Sequence, residues 1–445
     1  MNRTISVCVF LVTLAAVPAL SQPEFGPDSV RSICKRVASG RLKAALYNGW
    51  QFGTFFEGVM ALYDLTQDKR YLDSTVAWAG YNKWLSASAK QDTIPVSFDD
   101  VCCYQAYLET YLADPSPARL ENIKAALRYI TFYTYDTCPN TCKDIAWPIV
   151  DQYHMAAPIY PRAAVILNDP VMFDTAYHFA VQSCRRHYNV KAHLFNSNCG
   201  DTNATRQWWS RGCGWGVCGT CRLHQYLPAG HPGRTWCEQR IRETCAKLIT
   251  LQDQTDGMWR SELFTPGWLK ESSGTGFFCY ELFYALRHGI VDTATYLGSA
   301  KKAWSGLVGC VGADPANPNM LGWSQAIGGG PSNNISATGH NEYTDGAFLM
   351  AGNELYHFLT EGITGTNEPV PARGAKGDPM ASHNARCAVL DGLRLTPPLG
   401  ARAVEIFSPS GRLLQRIQID VGARNGAVFL GRRANGVGIV RFVFP

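Results

Sequence analysis

Between Val30 and Leu359 apolar side chains recur every three to four residues in segment after segment, and hardly any stretch alternates polar with apolar residues. That period marks amphipathic helices with one buried face. The spacing predicts helices over 28–40, 53–65, 70–89, 99–113, 117–134, 151–167, 170–187, 210–227, 233–251, 272–288, 293–308 and 343–359. The turns between them also repeat. Thr66-Gln-Asp-Lys-Arg-Tyr-Leu-Asp73 is echoed by Asn168-Asp-Pro-Val-Met-Phe-Asp174 and more loosely by Asp292-Thr-Ala-Thr-Tyr-Leu297. A polar turn followed by an aromatic residue at the start of the next helix is the signature of a helical hairpin. Twelve helices paired in this way make six hairpins, and the expected architecture is all-α, an (α/α)6 toroid. An open stack of helix pairs is the alternative, but it would keep its aromatic residues on apolar stripes, whereas here many lie in stretches rich in glycine.

The chain continues past this region with a different grammar. Residues 361–382 are rich in Pro and Gly, without periodicity, and read as a linker. From 383 to 445 the period becomes two, with short strands expected over 388–395, 403–407, 413–419, 427–430 and 437–444, enough for a small C-terminal β-sandwich. The whole chain carries 41 basic and 36 acidic residues, a net charge of +5. That excess resides after Thr396, so the helical region is neutral overall and does not have the basic surface of a nucleic-acid binder. Val404-Glu-Ile-Phe-Ser-Pro-Ser-Gly-Arg412 and Gly438-Ile-Val-Arg-Phe442 resemble the C-terminal sorting domains of bacterial type IX secretion substrates. Such a module would engage a secretion or cell-surface machinery.

Residues 1–21 carry one early positive charge, an apolar run from Val7 to Val17, and the small-x-small triplet Ala19-Leu20-Ser21. This is the pattern of a secretory signal peptide, which leaves 22–360 as the helical domain of a secreted protein. No later apolar run has the ~20 residues needed to span a bilayer. Sixteen cysteines suit an oxidising compartment. Cys138-x3-Cys142, Cys213-x4-Cys218-x2-Cys221 and Cys102-Cys103 lack the second pair that a zinc finger requires, so disulfides are expected rather than a metal.

The stretch Trp208-Trp-Ser-Arg-Gly-Cys-Gly-Trp-Gly216 has the chemistry of a site for an acidic sugar. Indole faces pack on pyranose rings, and a guanidinium offers paired donors to a carboxylate. The competing reading makes these Trp residues core. Asp151 precedes an aromatic and apolar run, Gln152-Tyr-His-Met-Ala-Ala-Pro158, where desolvation would raise its pKa and fit it for general acid catalysis. Asp99-Asp100 also begins a helix, and both positions fit helix N-caps equally well. His193 lies in a loop and Trp259 follows the turn Asp256-Gly257; either could be structural or could meet a sugar.

Trp209-Ser-Arg-Gly-Cys-Gly-Trp215, Asp256-Gly-Met-Trp259, Lys270-Glu-Ser-Ser-Gly-Thr275, Leu286-Arg-His-Gly-Ile290 and Tyr343-Thr-Asp-Gly-Ala-Phe-Leu349 occur in the order found in the unsaturated rhamnogalacturonyl hydrolases. The chain resembles this group, glycoside hydrolase family 105, from about Trp50 to Leu359. The resemblance implies an (α/α)6 barrel that removes a 4,5-unsaturated galacturonyl residue from the non-reducing end of rhamnogalacturonan fragments. It implies Asp151 as general acid/base, Asp100 (or its neighbour Asp99) as the second acid, and His193, Trp209, Arg211 and Trp215 as substrate-binding residues. The implied reaction hydrates the C4=C5 bond. It needs a proton and a water, so neither cofactor nor metal is expected. The chain departs from the family in having Cys213 in place of Asn, Cys102-Cys103 in place of a polar residue and Pro, and Ile149 two residues before Asp151 where a Trp is usual; local disulfides would then take over the lost polar support. A polysaccharide lyase on the same toroid and a non-catalytic glycan-binding protein are the competing classes.

Overall fold

The computed structural model describes residues 23–44, 47–87, 99–136, 149–196 and 208–364, together with five short strands between 394 and 443. The leader at 1–21, most of the linker and the Cys138/Cys142 pair lie outside the described residues. The helices are α1 (Pro27–Arg41), α2 (Trp50–Thr66), α3 (Lys69–Tyr81), α4 (Cys103–Ala113), α5 (Pro117–Asp136), α6 (Val150–Ala156), α7 (Ile159–Leu167), α8 (Val171–His187), α9 (Ser210–Tyr226), α10 (Pro232–Leu251), α11 (Ser272–Arg287), α12 (Thr293–Val308) and α13 (Glu342–Glu361).

The repeated turns do what their residues suggest. Gln67 and Asn168 end α2 and α7 in the left-handed region, at φ +55° and +51°. The aspartates that follow or stand in their place cap the next helix: Asp68 accepts from the Arg70 amide, Asp169 from that of Val171, and Asp292 from that of Thr295. Each cap satisfies a backbone donor that the first helical turn leaves open.

Two predicted helices come out differently. The third stops at Tyr81, because Lys83 and Trp84 both take positive φ. The segment 151–167 is two helices, since Pro158 has no amide hydrogen and its ring crowds the carbonyl four residues back, that of His154. That carbonyl accepts instead from Gln105 Nε2 of α4, at 2.8 Å.

The inner wall is a closed ring in which α2 packs on α4, α4 on α7, α6 on α9, α9 on α11, α11 on α13, and α13 back on α2. Helices α1, α3, α5, α8, α10 and α12 each lie outside an inner partner. This is the six-hairpin toroid and not an open stack. The ring closes through glycine. A Cβ on Gly346 of α13 would stand 2.3 Å from the Thr54 carbonyl oxygen of α2, and one on Gly58 would stand 2.6 Å from the Gly346 carbonyl oxygen. Arg41 fastens α1 across the same seam through its Nε to Asp345, at 2.6 Å, and its Nη1 to Glu342, at 2.8 Å.

The cysteines were expected to be bridged. Cys102, Cys213, Cys218 and Cys221 are instead buried free thiols, small apolar groups at helix contacts. Beyond the helices, β5 (Leu413–Gln418), β4 (Ala403–Phe407) and β7 (Ile439–Val443) form a three-stranded antiparallel sheet in that order, and β3 (Arg394–Leu395) pairs with β6 (Val428–Phe429). These lie where the period of two placed strands, but among the described residues a three-stranded sheet and a two-residue pair do not amount to the expected sandwich, which needs two facing layers.

Replacing Gly346 by Ala should lower unfolding stability by about 3 kcal/mol or more, because backbone atoms on both sides of the seam would have to move. Gly298→Ala, in the exposed middle of α12 where a Cβ meets nothing within 4 Å, should instead stabilise by about 0.5–1 kcal/mol. Urea unfolding of the two variants checks this contrast.

Candidate active site

Counting α6 and α7 as the two halves of one, the inner wall has six helices, and contacts between their first turns bring N-termini together at one mouth of the toroid. The contacts there show it: Trp50 at the start of α2 stacks on Tyr343 at the start of α13, centroids 5.0 Å apart, and Ser210 Oγ at the start of α9 lies 3.4 Å from Glu271, the N-cap of α11. Convergent helix N-termini direct the positive ends of their dipoles at whatever enters, which favours an anion.

Asp151 sits in the first turn of α6, one residue past the start of the helix, and caps nothing; the N-cap position belongs to Ile149. Its carboxyl is partly buried, with Oδ1 sealed from solvent and unpartnered. Burial, and next the nearby charge of Asp99, push its pKa up to about 8, with the Arg211 guanidinium pulling the other way. A carboxylic acid in such a setting keeps its proton at neutral pH. Asp99 opens a short 3-10 helix, Asp99–Cys102, that leads into α4. Among the described acids, Asp99 is the one whose charge acts on Asp151; the side chain of Asp100, the other candidate, lies outside the described residues.

Arg211 is only 1 % exposed. Its Nη1 donates to the Gln325 carbonyl at 2.8 Å and its Nη2 to the Ala326 carbonyl at 3.0 Å, while the guanidinium lies 4.5 Å from the Trp209 ring and 4.8 Å from that of Tyr343. The fork expected to hold a uronate is thus spent on the loop after α12. Only Nε remains without a protein partner. Gln325 is the hub of that loop: its side-chain oxygen accepts from Trp209 Nε1 at 3.1 Å and from Ser261 Oγ at 2.8 Å, and its amide donates to Glu271 at 3.0 Å.

From Ser210 on, the Trp-rich stretch is helical, as the predicted helix 210–227 has it. Gly212, Gly214, Gly216 and Gly219 all lie inside unbroken α9, where the last three let Phe277, Phe195 and the His154 backbone come close. Trp209 is 3 % exposed and Trp215 1 %. Neither presents a free face to a sugar in this arrangement: Trp215 packs on Phe277 and His154, with centroids 4.4 and 4.8 Å away. Trp259 is likewise fully buried, its indole nitrogen bonded to the Leu248 carbonyl. His193 is elsewhere. Asn189 Oδ1 accepts from the amides of Lys191 and Ala192, building a turn between β1 (Tyr188–Asn189) and β2 (Leu194–Phe195) that carries His193 outward. At φ +54° its ring, half exposed, stands 3.7 Å from Glu243 of the outer helix α10. The structure brings together Asp151, Asp99, Arg211, Trp209 and Trp215 but leaves His193 outside.

Residues that sequence reasoning did not single out are Trp50, the half-buried indole stacked at the mouth, and Gln325 and Tyr343, which hold Arg211. A lone Gln in a loop rich in Gly and Ser carries no pattern that would reveal it.

Below the acids, Glu57, Cys102 and His154 bring potential ligand atoms within 4.8 Å of one another, all buried. Arg222 Nε lies 3.0 Å from Glu57 Oε2. The carboxylate already has its counter-charge, so this is an ion-pair cluster and a poor fit for a cation.

The model of Glycosyl Hydrolase Family 88 matches residues 29–359, the whole toroid. The chain belongs to that family. It is a glycoside hydrolase. An unsaturated 3S-rhamnoglycuronyl hydrolase of Formosa agariphila is 26 % identical over 327 residues, 69 % of this chain and 84 % of that protein. A family 88 glycosyl hydrolase from Bacteroides vulgatus superposes with TM-score 0.66 at 22 % identity, over 75 % of this chain and 99 % of the other. A family 105 glycoside hydrolase of C. acetobutylicum does so with TM-score 0.59 at 17 % identity, over 72 % and 98 %. The resemblance drawn from the motifs and the family match agree on this joint group of unsaturated uronyl hydrolases.

Because Arg211 spans two carbonyls with a rigid fork, Arg211→Lys should keep the charge yet release loop 325–328. The expected result is faster proteolytic cleavage in that loop and a fall in kcat/KM of about 10- to 100-fold, equivalent to about 1.4–2.7 kcal/mol.

Proposed function

We propose that the protein removes a 4,5-unsaturated uronyl residue from the non-reducing end of rhamnose-containing oligosaccharides by hydrating the double bond. The observation that carries this reading is the sheltered carboxyl of Asp151, kept protonated beside a second acid, Asp99, at an anion-favouring mouth. The Asp151 proton goes to C4 of the enol ether, and a water oxygen adds at C5 and gives up a proton to the site. The resulting hemiketal opens at its C5–O5 ring bond to a C5 ketone and a C1 hemiacetal. That hemiacetal collapses to the C1 aldehyde, breaking the C1–O bond to the next sugar, whose oxygen leaves with a proton. One poised acid suffices. A displacement mechanism would need two carboxyl groups flanking the scissile bond. The Nε–H of Arg211 and the helix N-termini would meet the uronate carboxylate, and Trp50 would line the sugar's path.

Elimination makes C4 trigonal, so unsaturated residues from galacturonate and from glucuronate are the same group. A pectic substrate and the 3S-rhamnoglycuronyl unit named for the Formosa relative therefore present the same unsaturated residue and can differ only beyond it. Rhamnose is common to both, and for that reason the pectic fragment and the rhamnoglycuronyl fragment are the substrates to compare.

The C4=C5 bond conjugated with its carboxylate absorbs in the near ultraviolet. Incubation with unsaturated rhamnogalacturonan or rhamnoglycuronan disaccharides should abolish that absorbance, and Asp151→Asn should slow the loss by about 10²–10⁴-fold. Absorbance that rises on intact polyuronate would make the protein a lyase, and tight binding without turnover would make it a glycan-binding protein. Since the proton donor is the neutral carboxyl, kcat should hold at lower pH and fall as pH passes about 8, where Asp151 ionises.

The same reading has residues 1–21 removed on export and the basic C-terminal strands serving a secretion or surface machinery. Exported protein should begin after Ser21, which N-terminal sequencing of the culture medium checks.

A further inference from the structure

Both acids at the mouth rest on one buried carboxylate. Cys102 lies three residues after Asp99 and His154 three residues after Asp151, so each is about one helical turn below its acid. Between them stands Glu57 of α2, with no exposure to solvent. The Cys102 thiol donates to Glu57 Oε1 at 2.9 Å, and His154 Nε2 stands 3.5 Å from Glu57 Oε2. The other groups facing this carboxylate are Thr54, whose hydroxyl lies 3.6 Å from the Cys102 sulfur, and Arg222, 3.0 Å from Glu57 Oε2. Arg222 also donates to Gln105 at 3.0 Å and to Glu109 at 2.7 Å, and Gln105 in turn holds the His154 carbonyl that Pro158 has set free. Five separate segments, α2, the 3-10 helix, α4, α6 and α9, therefore meet at Glu57 and its counter-ion.

We infer that Glu57, acting through Cys102 on one side and His154 on the other, is the positioning residue that sets the separation of Asp99 and Asp151. The inference rests on the reading of Asp151 as the proton donor. Its physical content is that a buried charge with a fixed counter-ion has few alternative positions, because any movement away from Arg222 leaves both groups unpaired in a dry interior. The thiol at Cys102 gives that charge a donor from the segment carrying Asp99. A hydroxyl can take over this role, but a methyl group cannot. Cys102 thus has a polar partner where a local disulfide was expected.

The consequence is visible in a pH profile. Asp151 is held up partly by the charge of Asp99, so letting Asp99 drift away lowers the Asp151 pKa, and the alkaline limb of kcat moves to lower pH. Loss of folded enzyme would reduce the amplitude and leave the limb in place. With an unsaturated disaccharide as substrate, Cys102→Ala should lower kcat by about 5- to 30-fold at nearly unchanged KM, with the limb displaced toward acid. Cys102→Ser should restore both the rate and the limb. Glu57→Gln, provided circular dichroism shows it folded, should behave like Cys102→Ala. The proposal is overturned if the Cys102→Ala limb stays at its original pH, or if Ser and Ala at 102 are equivalent. Asp151→Asn measured alongside separates the two levels: activity surviving in that variant defeats the assignment of the acid, whereas its loss together with an unmoved limb in Cys102→Ala defeats only the role of Glu57.

Discussion

The backbone of α13 lies directly on the backbone of α2, Gly346 against the Thr54 carbonyl, and the enclosed lumen exists because of that approach. Two helices with ordinary side chains at the crossing would stay farther apart, and a ring of six would open at this seam. Closure has an electrical consequence as well as a steric one. Once the ring is shut, the groups lining it lose most of their water, and each charge inside must find a partner or give up its ionisation. Glu57 finds Arg222, Asp345 finds Arg41, and Asp151, with Arg211 as a more distant influence and Asp99 opposing, keeps its proton.

That chain of dependence explains why the mouth and the floor of the lumen differ in chemistry although they are one helical turn apart. At the floor, the Glu57 carboxylate lies against the Arg222 guanidinium, and Gln105 reclaims the His154 carbonyl displaced by Pro158, which ties α2, α4, α6 and α9 together. At the mouth, a carboxyl oxygen of Asp151 and the Nε of Arg211 are buried without a hydrogen-bond partner. Unpaired polar groups are costly in a dry site, and a ligand that supplies a carboxylate and accepts a proton relieves both. Arg211 joins the two levels. It braces the loop around Gln325 with two of its nitrogens, so its charge is held still by the protein before any substrate arrives.

How much of this was legible in the sequence depends on how local the deciding interaction is. The hairpin turns could be read because Gln67-Asp68, Asn168-Asp169 and Asp292 do their work within a few residues of themselves. The split at Pro158 was legible in principle, since proline's missing donor is a local fact, but the periodicity on either side concealed it. Asp151 was found as an acid from its apolar surroundings along the chain, and its pKa has the expected cause. The Trp-rich stretch was read as a site for an acidic sugar overlapping the predicted helix 210–227, although its glycines disfavour a helix in isolation. In the toroid Gly214, Gly216 and Gly219 admit Phe277, Phe195 and α6, and packing outweighs a propensity penalty of about 1 kcal/mol each. His193 was misplaced for the opposite reason: an Asx turn at Asn189, itself a local feature, swings it to the outer surface.

The sequence by itself determined that this chain is a set of paired helices, where nearly all of them begin and end, and which family of unsaturated uronyl hydrolases it resembles, because periodicity, caps and short motifs are encoded by neighbours along the chain. Only the tertiary structure decided that the charge of Asp99 acts on Asp151, that Arg211 is spoken for by backbone carbonyls, that Trp209 and Trp215 are walls, and that Glu57 lies beneath both acids. Each of those facts joins residues tens to hundreds of positions apart, through contacts a few ångströms long that exist only after the ring has closed.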